Sequence, residues 1–330
     1  MKLLVTGSAG FIGSSFVRML LGKPLDKQKD FSIPFGVEKI LSLDALTYAA
    51  TTENLKPIES DSRHGFIKGD IADRALVERL ALEFRPDVIV NFAAESHVDR
   101  SILSSQEFLR SNVEGTLSLL DVALKNNIRY VQISTDEVYG SLGDSGSFSE
   151  ETPMAPNSPY SASKAAADCF VRSYQHTHKL PAIITRCSNN YGPYQYPEKF
   201  LPLSITRLLE GQKIPVYGTG KNVRDWIHVE DHCYGVIQAI AQNKWGEVYN
   251  FGGFGETSNI DMAKRLLELL GKDETSIEYV SDRKGHDWRY SMNSLKAQRE
   301  LGWKARWSLE SGLEHMVDWF KHNQQWWKKS

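Results

Sequence analysis

Three glycines, Gly7, Gly10 and Gly13, stand between a short apolar run at residues 2–6 and a stretch of helically spaced apolar residues at 11–21. No other feature restricts the possible folds as much. A buried strand that turns sharply into a helix needs a residue without a Cβ in three places: at the turn, where backbone approaches a ligand, and where the helix crosses the strand. Gly7, Gly10 and Gly13 have the spacing to fill those places in turn. The helix they open presents free N–H groups and a positive dipole end, a ready site for a pyrophosphate. Three glycines alone also mark an ordinary turn. Their place in a first strand–helix–strand unit decides for a dinucleotide site.

The rest of the first half repeats that alternation. Residues 39–43, 65–68, 87–91, 130–134 and 182–186 read as short buried strands. Between them, 74–84, 108–126 and 158–178 carry helical spacing. Strands alternating with helices imply a doubly wound, Rossmann-type α/β fold with a parallel sheet covered on both faces. The polar stretch 23–37, with two prolines, reads as a surface insertion. After Asn189 aromatic, proline and glycine residues become dense, which suits a smaller domain closing over a ligand. Residues 248–251 (VYNF) read as a strand rejoining the main sheet, and 262–270 and 309–320 as helices. The expected organisation is a nucleotide-binding domain at 1–187, rejoined by about 222–255, and a discontinuous substrate domain within 188–330. The tail QQWWKKS reads as a frayed end.

Composition narrows the partners. In 330 residues the net charge is −2, so no basic field attracts nucleic acid or anionic lipid. No segment has the ~18 consecutive apolar residues of a membrane span. Cys169, Cys187 and Cys233 are widely spaced and odd in number, which argues against a zinc site or a disulfide framework. They read as three small buried side chains in a protein of the reducing cytoplasm, with no metal.

Asp44 ends the second strand, where a carboxylate accepts hydrogen bonds from an adenine ribose and repels a 2′-phosphate; the cofactor read from it is NAD. Tyr160 and Lys164 lie at i and i+4 on one helix face. An ammonium there is expected to lower the phenol pKa and ready it as a base. Ser134-Thr135-Asp136-Glu137 ends the fifth strand, at the sheet edge where ligands bind. Thr135 has the hydroxyl to hold a reacting group. Asp136 and Glu137 can divide acid and base work if their surroundings separate their pKa values.

Thr135-Asp136-Glu137-Val138-Tyr139-Gly140, with Tyr160 and Lys164, resembles the signature of the dTDP-glucose 4,6-dehydratases, a branch of the extended short-chain dehydrogenase/reductase family. The Gly7-x-x-Gly10-x-x-Gly13 spacing is that family's variant, and matching segments run to about residue 300. Ala50 and Lys284 depart from its usual Gly and Pro. The resemblance implies conversion of dTDP-glucose to dTDP-4-keto-6-deoxy-glucose and water in deoxysugar biosynthesis, by a homodimer paired through residues 108–126 and 158–178; the alternative is a 4,6-dehydratase of UDP- or CDP-glucose, or a UDP-sugar 4-epimerase. It implies a catalytic set of Thr135, Asp136, Glu137, Tyr160 and Lys164. It implies NAD contacts at Gly7, Gly10, Phe11, Ile12, Gly13, Asp44, Leu46, Thr47, Asp70, Ile71, Ala93, Ala94, Ser96 and Asn189, besides Tyr160 and Lys164. Sugar-nucleotide contacts follow at Ser96, Thr135, Asn190, Glu198, Lys199, Leu201, Pro202, Pro215, Tyr217, Asn259 and His286. Arg224 and Arg283 join them, since a guanidinium fork matches diphosphate oxygens.

Overall fold

A computed structural model describes residues 1–253 and 255–328. In the first half β1 (Lys2–Thr6), α1 (Phe11–Leu20), β2 (Lys39–Asp44), β3 (His64–Lys68), α2 (Arg74–Phe84) and β4 (Val88–Asn91) alternate as their apolar spacing predicts. They are followed by α3 (Val98–Leu103), α4 (Gln106–Phe108), α5 (Gly115–Lys125), β5 (Arg129–Thr135), α6 (Pro159–His178) and β6 (Ala182–Cys187). The second half holds β7 (Asn189–Tyr191), α7 (Phe200–Leu209), β8 (Ile214–Tyr217), β9 (Val223–Arg224), β10 (Trp226–His228) and α8 (Val229–Ala241). It continues through β11 (Val248–Phe251), β12 (Thr257–Ser258), α9 (Asn259–Leu269), β13 (Ile277–Val280), α10 (Leu295–Leu301), α11 (Leu309–His322) and α12 (Gln324–Trp327).

Seven strands form one parallel sheet in the order β11-β6-β5-β4-β1-β2-β3. The winding reverses between β1 and β4, the switch point at which doubly wound sheets open a crevice beyond their strand ends. The strands are apolar on both sides because both faces are covered. Leu3, Val5, Val88, Val90, Val131 and Ile183 pack with residues of α1 and α8. Leu4, Ile89, Tyr130, Ala182 and Ile184 pack with α2, α5 and α6. A separate core gathers Leu201, Ile205, Ile214, Val216, Met262, Leu266, Leu313 and Phe320 from α7, β8, α9 and α11. Of the second half, α8 and β11 return to the sheet, β11 pairing with β6.

Local chemistry sets the element ends that matter below. Ser158 and Ser161 close a reciprocal capping box on α6, with Pro159 at its first position. Arg85 and Lys179 end α2 and α6 in the left-handed conformation.

Four expectations are corrected. Residues 108–126 are not one regular helix, because Leu109–Glu114 is π-wound between α4 and α5. The wider turn brings Asn112 inward, where it bonds Glu95 and Ser163. The 23–37 stretch is not merely a surface loop: Phe31 is buried against Tyr234, and Lys29 lies over the Trp307 ring at 4.6 Å. The tail is not frayed as far as residue 328, since α12 buries Trp327. Two apolar indoles outweigh the polar residues around them. Cys169 is exposed on α6, while Cys187 and Cys233 are buried. Among the described residues no helix is long and apolar enough to cross a membrane.

Candidate active site

The glycine run is built as its spacing requires. Gly7 takes φ +66°, and a Cβ there would stand 2.4 Å from the Ala93 nitrogen. A Cβ on Gly13 would sit 2.2 Å from the Gly7 carbonyl oxygen, so α1 touches the turn directly. At Gly10 the same atom meets protein only at 3.4 Å and would instead fill the cleft. Gly10 is the N-cap of α1 and no side chain caps it. The opening turn of α1 therefore faces the cleft with backbone donors, a cradle that fits a pyrophosphate.

Asp44 stands at the end of β2 with both oxygens engaged. Oδ2 accepts from the Ala9 N–H at 2.8 Å and Oδ1 from the Leu46 N–H at 2.8 Å. Burial raises its pKa and these backbone bonds oppose the rise. Each oxygen keeps a lone pair for a ribose hydroxyl.

The cleft encloses about 450 Å³ beyond the carboxyl ends of β1, β4 and β5. Gly7, Gly10, Phe11, Ile12, Gly13, Asp44, Thr47, Asp70, Ile71, Ala93, Ala94, Ser96 and Asn189 all line it. So do the five residues Thr135, Asp136, Glu137, Tyr160 and Lys164, brought from β5 and α6. Leu46 does not line it. It takes φ +53° and spends its N–H on Asp44, which turns its side chain back against the core.

Within the catalytic set Thr135 donates its hydroxyl to Asp136 Oδ1 at 3.1 Å. Asp136 is 1% exposed, and its Oδ2 has no hydrogen-bond partner among the described residues. Burial pushes its carboxyl well above the ordinary range, and the neighbouring Glu137 and Asp225 carboxylates push the same way. Glu137 is also raised by burial, but Lys199, Arg224 and Arg283 act against the rise. The two carboxyls are thus separated by the cations, which act mainly on one of them. Asp136 is suited to hold a proton and Glu137 to give up its own sooner.

Lys164 donates to the Ile133 carbonyl at 2.6 Å, and burial lowers its pKa. The expected lowering of the Tyr160 phenol is not what this arrangement gives. Burial, then the Glu137 carboxylate, hold Tyr160 well above its ordinary value, and the group opposing them is the Thr135 hydroxyl. Lys164 has turned its ammonium to a backbone acceptor instead.

Opposite these groups stand Asn190, Glu198, Lys199, Leu201, Pro215, Tyr217, Arg224, Asn259, Arg283 and His286, all lining the same cleft. Pro202 does not: it is buried in the first turn of α7, turned away by the helical step that follows Leu201. Arg283 pairs with Asp99 at 2.6 Å, and Arg224 lies over the Tyr290 ring at 4.4 Å. Lys199 donates to the Ser96 carbonyl at 2.6 Å. Glu198 accepts from the Tyr48 hydroxyl at 2.8 Å. The sequence reasoning missed Glu95, His97, Asp99, Gln195, Tyr196 and Trp226, which also line the cleft. Their signal was position: each lies close in sequence to a residue already singled out.

The chain matches the GDP-mannose 4,6 dehydratase family over residues 4–316. It is 47% identical over 328 residues to a dTDP-glucose 4,6-dehydratase of Actinoplanes sp., covering 99% of this chain and 100% of the relative. Among solved structures, a dTDP-glucose 4,6-dehydratase of Streptomyces venezuelae with NAD bound superposes with a TM-score of 0.95 at 48% identity, covering 100% of this chain and 99% of that one. The corresponding Bacillus anthracis enzyme, in complex with NAD, gives 0.89 at 47% identity over the same shares. Since the family's match takes in the sheet, the glycine turn and the second core alike, this chain belongs to the GDP-mannose 4,6 dehydratase family.

Proposed function

We propose that this protein is an NAD-dependent hydro-lyase converting dTDP-glucose to dTDP-4-keto-6-deoxy-glucose and water. One observation carries the reading: Asp136 and Glu137, side by side and both with raised pKa values, share a buried cleft with Thr135, Tyr160 and Lys164. An epimerisation at C4 needs no second acid–base pair; loss of water across C5 and C6 does. The relatives that match along the whole chain carry the same activity in their names.

Gly7, Gly10, Gly13 and Asp44 would hold NAD, which would supply a hydride acceptor for oxidation at C4 and a hydride donor for C6. The protein's own groups do the rest. Thr135 holds the C4 hydroxyl and Tyr160 takes its proton. The high phenol pKa makes the phenolate a strong base once formed; to support it, Lys164 would turn its ammonium from the Ile133 carbonyl to the phenolate. The 4-ketone acidifies C5–H. Glu137, drawn toward its anionic form by Lys199, Arg224 and Arg283, removes that proton, and a proton returns to C5 once hydride has reached C6. Asp136 delivers its proton to the departing C6 hydroxyl. Arg224 and Arg283 hold the diphosphate, and Asn190, Glu198, Lys199, Tyr217, Asn259 and His286 orient the nucleoside and sugar.

Residues 1–187 with about 222–255 serve as the cofactor domain and the remainder of 188–330 as the sugar-nucleotide domain. The protein works in the cytoplasm as a homodimer. Leu109 and Phe170, 46% and 36% exposed on the two long helical stretches, fit a partner's apolar face; light scattering at working concentration tests this.

The deciding experiment is mass spectrometry of dTDP-glucose incubated with purified protein and NAD. Loss of one water without net NADH is expected. An unchanged mass, or a product equal in mass but epimerised, overturns the reading.

A further inference from the structure

Asn54 is 1% exposed in the 3-10 turn Thr52–Ile58 and uses every polar group it has. Its Nδ2 donates to the Ala9 carbonyl at 2.9 Å. Its Oδ1 accepts from the Trp326 indole N–H at 2.9 Å. Its own carbonyl accepts from buried Arg18 at 2.8 Å, and its N–H donates to the Thr51 carbonyl at 3.2 Å. Ala9 lies inside the glycine run. Its N–H goes to Asp44, and its carbonyl also receives the Thr51 N–H at 3.2 Å. Two consecutive peptide planes of the turn are therefore held, one by Asp44 and the next by Asn54 together with the Thr51 N–H and the Gly10 N–H bond to the Gly7 carbonyl at 3.3 Å. The second, joining Ala9 to Gly10, directly precedes the Phe11 and Ile12 amides that open α1.

The chemistry at position 54 is restrictive. An indole N–H is a donor only and a carbonyl an acceptor only. A side-chain amide satisfies both in a single orientation, with Oδ1 toward Trp326 and Nδ2 toward Ala9. A carboxylate would face the Ala9 carbonyl with a second acceptor. The indole is itself held in place: Trp326 packs edge-on to Tyr194 at 5.8 Å and to Trp319 at 5.1 Å.

We infer that Trp326 and Asn54 are positioning residues for the cofactor. The C-terminal α12 sets the Asn54 amide, which sets the peptide plane of the phosphate-cradling turn. The tail thereby tunes NAD affinity without touching NAD. The inference rests on reading the glycine turn as the NAD site. Linkage makes it reciprocal: if the tail strengthens NAD binding, NAD must strengthen the docking of the tail.

Two measurements on the full chain test it. Titration of NAD should give about a fivefold weaker Kd for Trp326→Phe, which keeps an aromatic ring and loses the donor. Asn54→Asp should weaken Kd by about tenfold or more. The KM for the sugar nucleotide should stay unchanged in Trp326→Phe. Separately, amide hydrogen exchange of residues 319–328 in the wild-type protein should slow when NAD is added. Equal Kd for wild type and Trp326→Phe, or tail exchange indifferent to NAD, overturns the inference. Should the variant not fold, wild-type exchange decides alone. A wild-type protein that binds no NAD refutes the cofactor reading itself, an outcome visible before any variant is made.

Discussion

Replacing Asp136 by Asn removes a proton donor while keeping the neutral charge of the protonated acid. Asp136 is buried beside two other carboxyls, and burial and those neighbours raise its pKa, which favours the protonated, neutral form. An amide has the same shape and the same neutral charge. It retains the acceptor that Thr135 reaches at 3.1 Å, and the partnerless Oδ2 loses no hydrogen bond by becoming an NH2. Substrate affinity and folding should therefore be nearly unchanged, and the whole loss should fall on elimination. A positioned general acid contributes about 100- to 10,000-fold, so kcat should drop by that factor, about 2.7–5.4 kcal/mol of barrier. Stability supplies a second reading. In the unfolded chain this carboxyl ionises near its ordinary pKa; in the fold it ionises only higher. Between those two values the native state binds the extra proton, so wild-type stability falls as pH rises through that window. The amide of the variant does not titrate, so Asp136→Asn should melt at or above wild type at neutral pH. The assay is a single turnover on dTDP-glucose, following reduced nicotinamide and released water together. C4 oxidation without water release is expected. Dehydration at the wild-type rate, or a melting temperature well below wild type, refutes the protonated-acid argument.

Other outcomes follow from the same geometry. Tyr160→Phe should abolish the first oxidation, leaving no reduced-nicotinamide signal on mixing with substrate. Arg224→Ala should raise KM for the sugar nucleotide with the cofactor Kd unmoved; an unchanged KM rejects its diphosphate role. Gly13→Ala puts a methyl 2.2 Å from the Gly7 carbonyl oxygen, where backbone cannot yield cheaply, so NAD binding should collapse on titration and the melting temperature should fall.

The sheet was legible because its strands are two-sided apolar runs, and the site because its glycines, Asp44 and the 134–137 and 160–164 segments all fall at strand or helix ends. What stayed hidden depends on tertiary neighbours. The π-wound turn at Leu109–Glu114 has no signature in apolar spacing, since it is Asn112, a polar residue, that the wider turn delivers inward. The 23–37 stretch reads as polar on average, yet Phe31 finds a ring in Tyr234, which lies on α8, far along the chain. The tail's two tryptophans were the visible hint that a polar ending packs down. The direction of the Lys164 ammonium was not legible at all. The i, i+4 spacing puts it on the face of Tyr160, but the Ile133 carbonyl, presented by β5, decides where it points.

How the reacting groups keep register is answered one turn beyond Lys164. Asp168 is buried on α6, and its Oδ2 accepts from Ser134 at 3.0 Å and from Arg186 at 2.9 Å. Ser134 immediately precedes Thr135. Arg186 comes from β6 and also donates to the Tyr139 hydroxyl at 2.8 Å, at the end of the short 3-10 turn Asp136–Tyr139. One carboxylate therefore joins the helix bearing Tyr160 and Lys164 to the strand end bearing Thr135, and through Arg186 to the turn bearing Asp136 and Glu137. Burying such a pair adds little net stability, because desolvation offsets most of the attraction. Its yield is geometric. The proton acceptor on α6 and the acid–base pair after β5 belong to different elements, and a displacement of about 1 Å between them would cost about 100-fold in rate. Apolar packing alone leaves neighbouring elements more freedom to slide than a hydrogen-bonded charge that must find its partners. The molecule accepts the desolvation cost where it fixes the relative placement of groups that must act in sequence on one sugar ring.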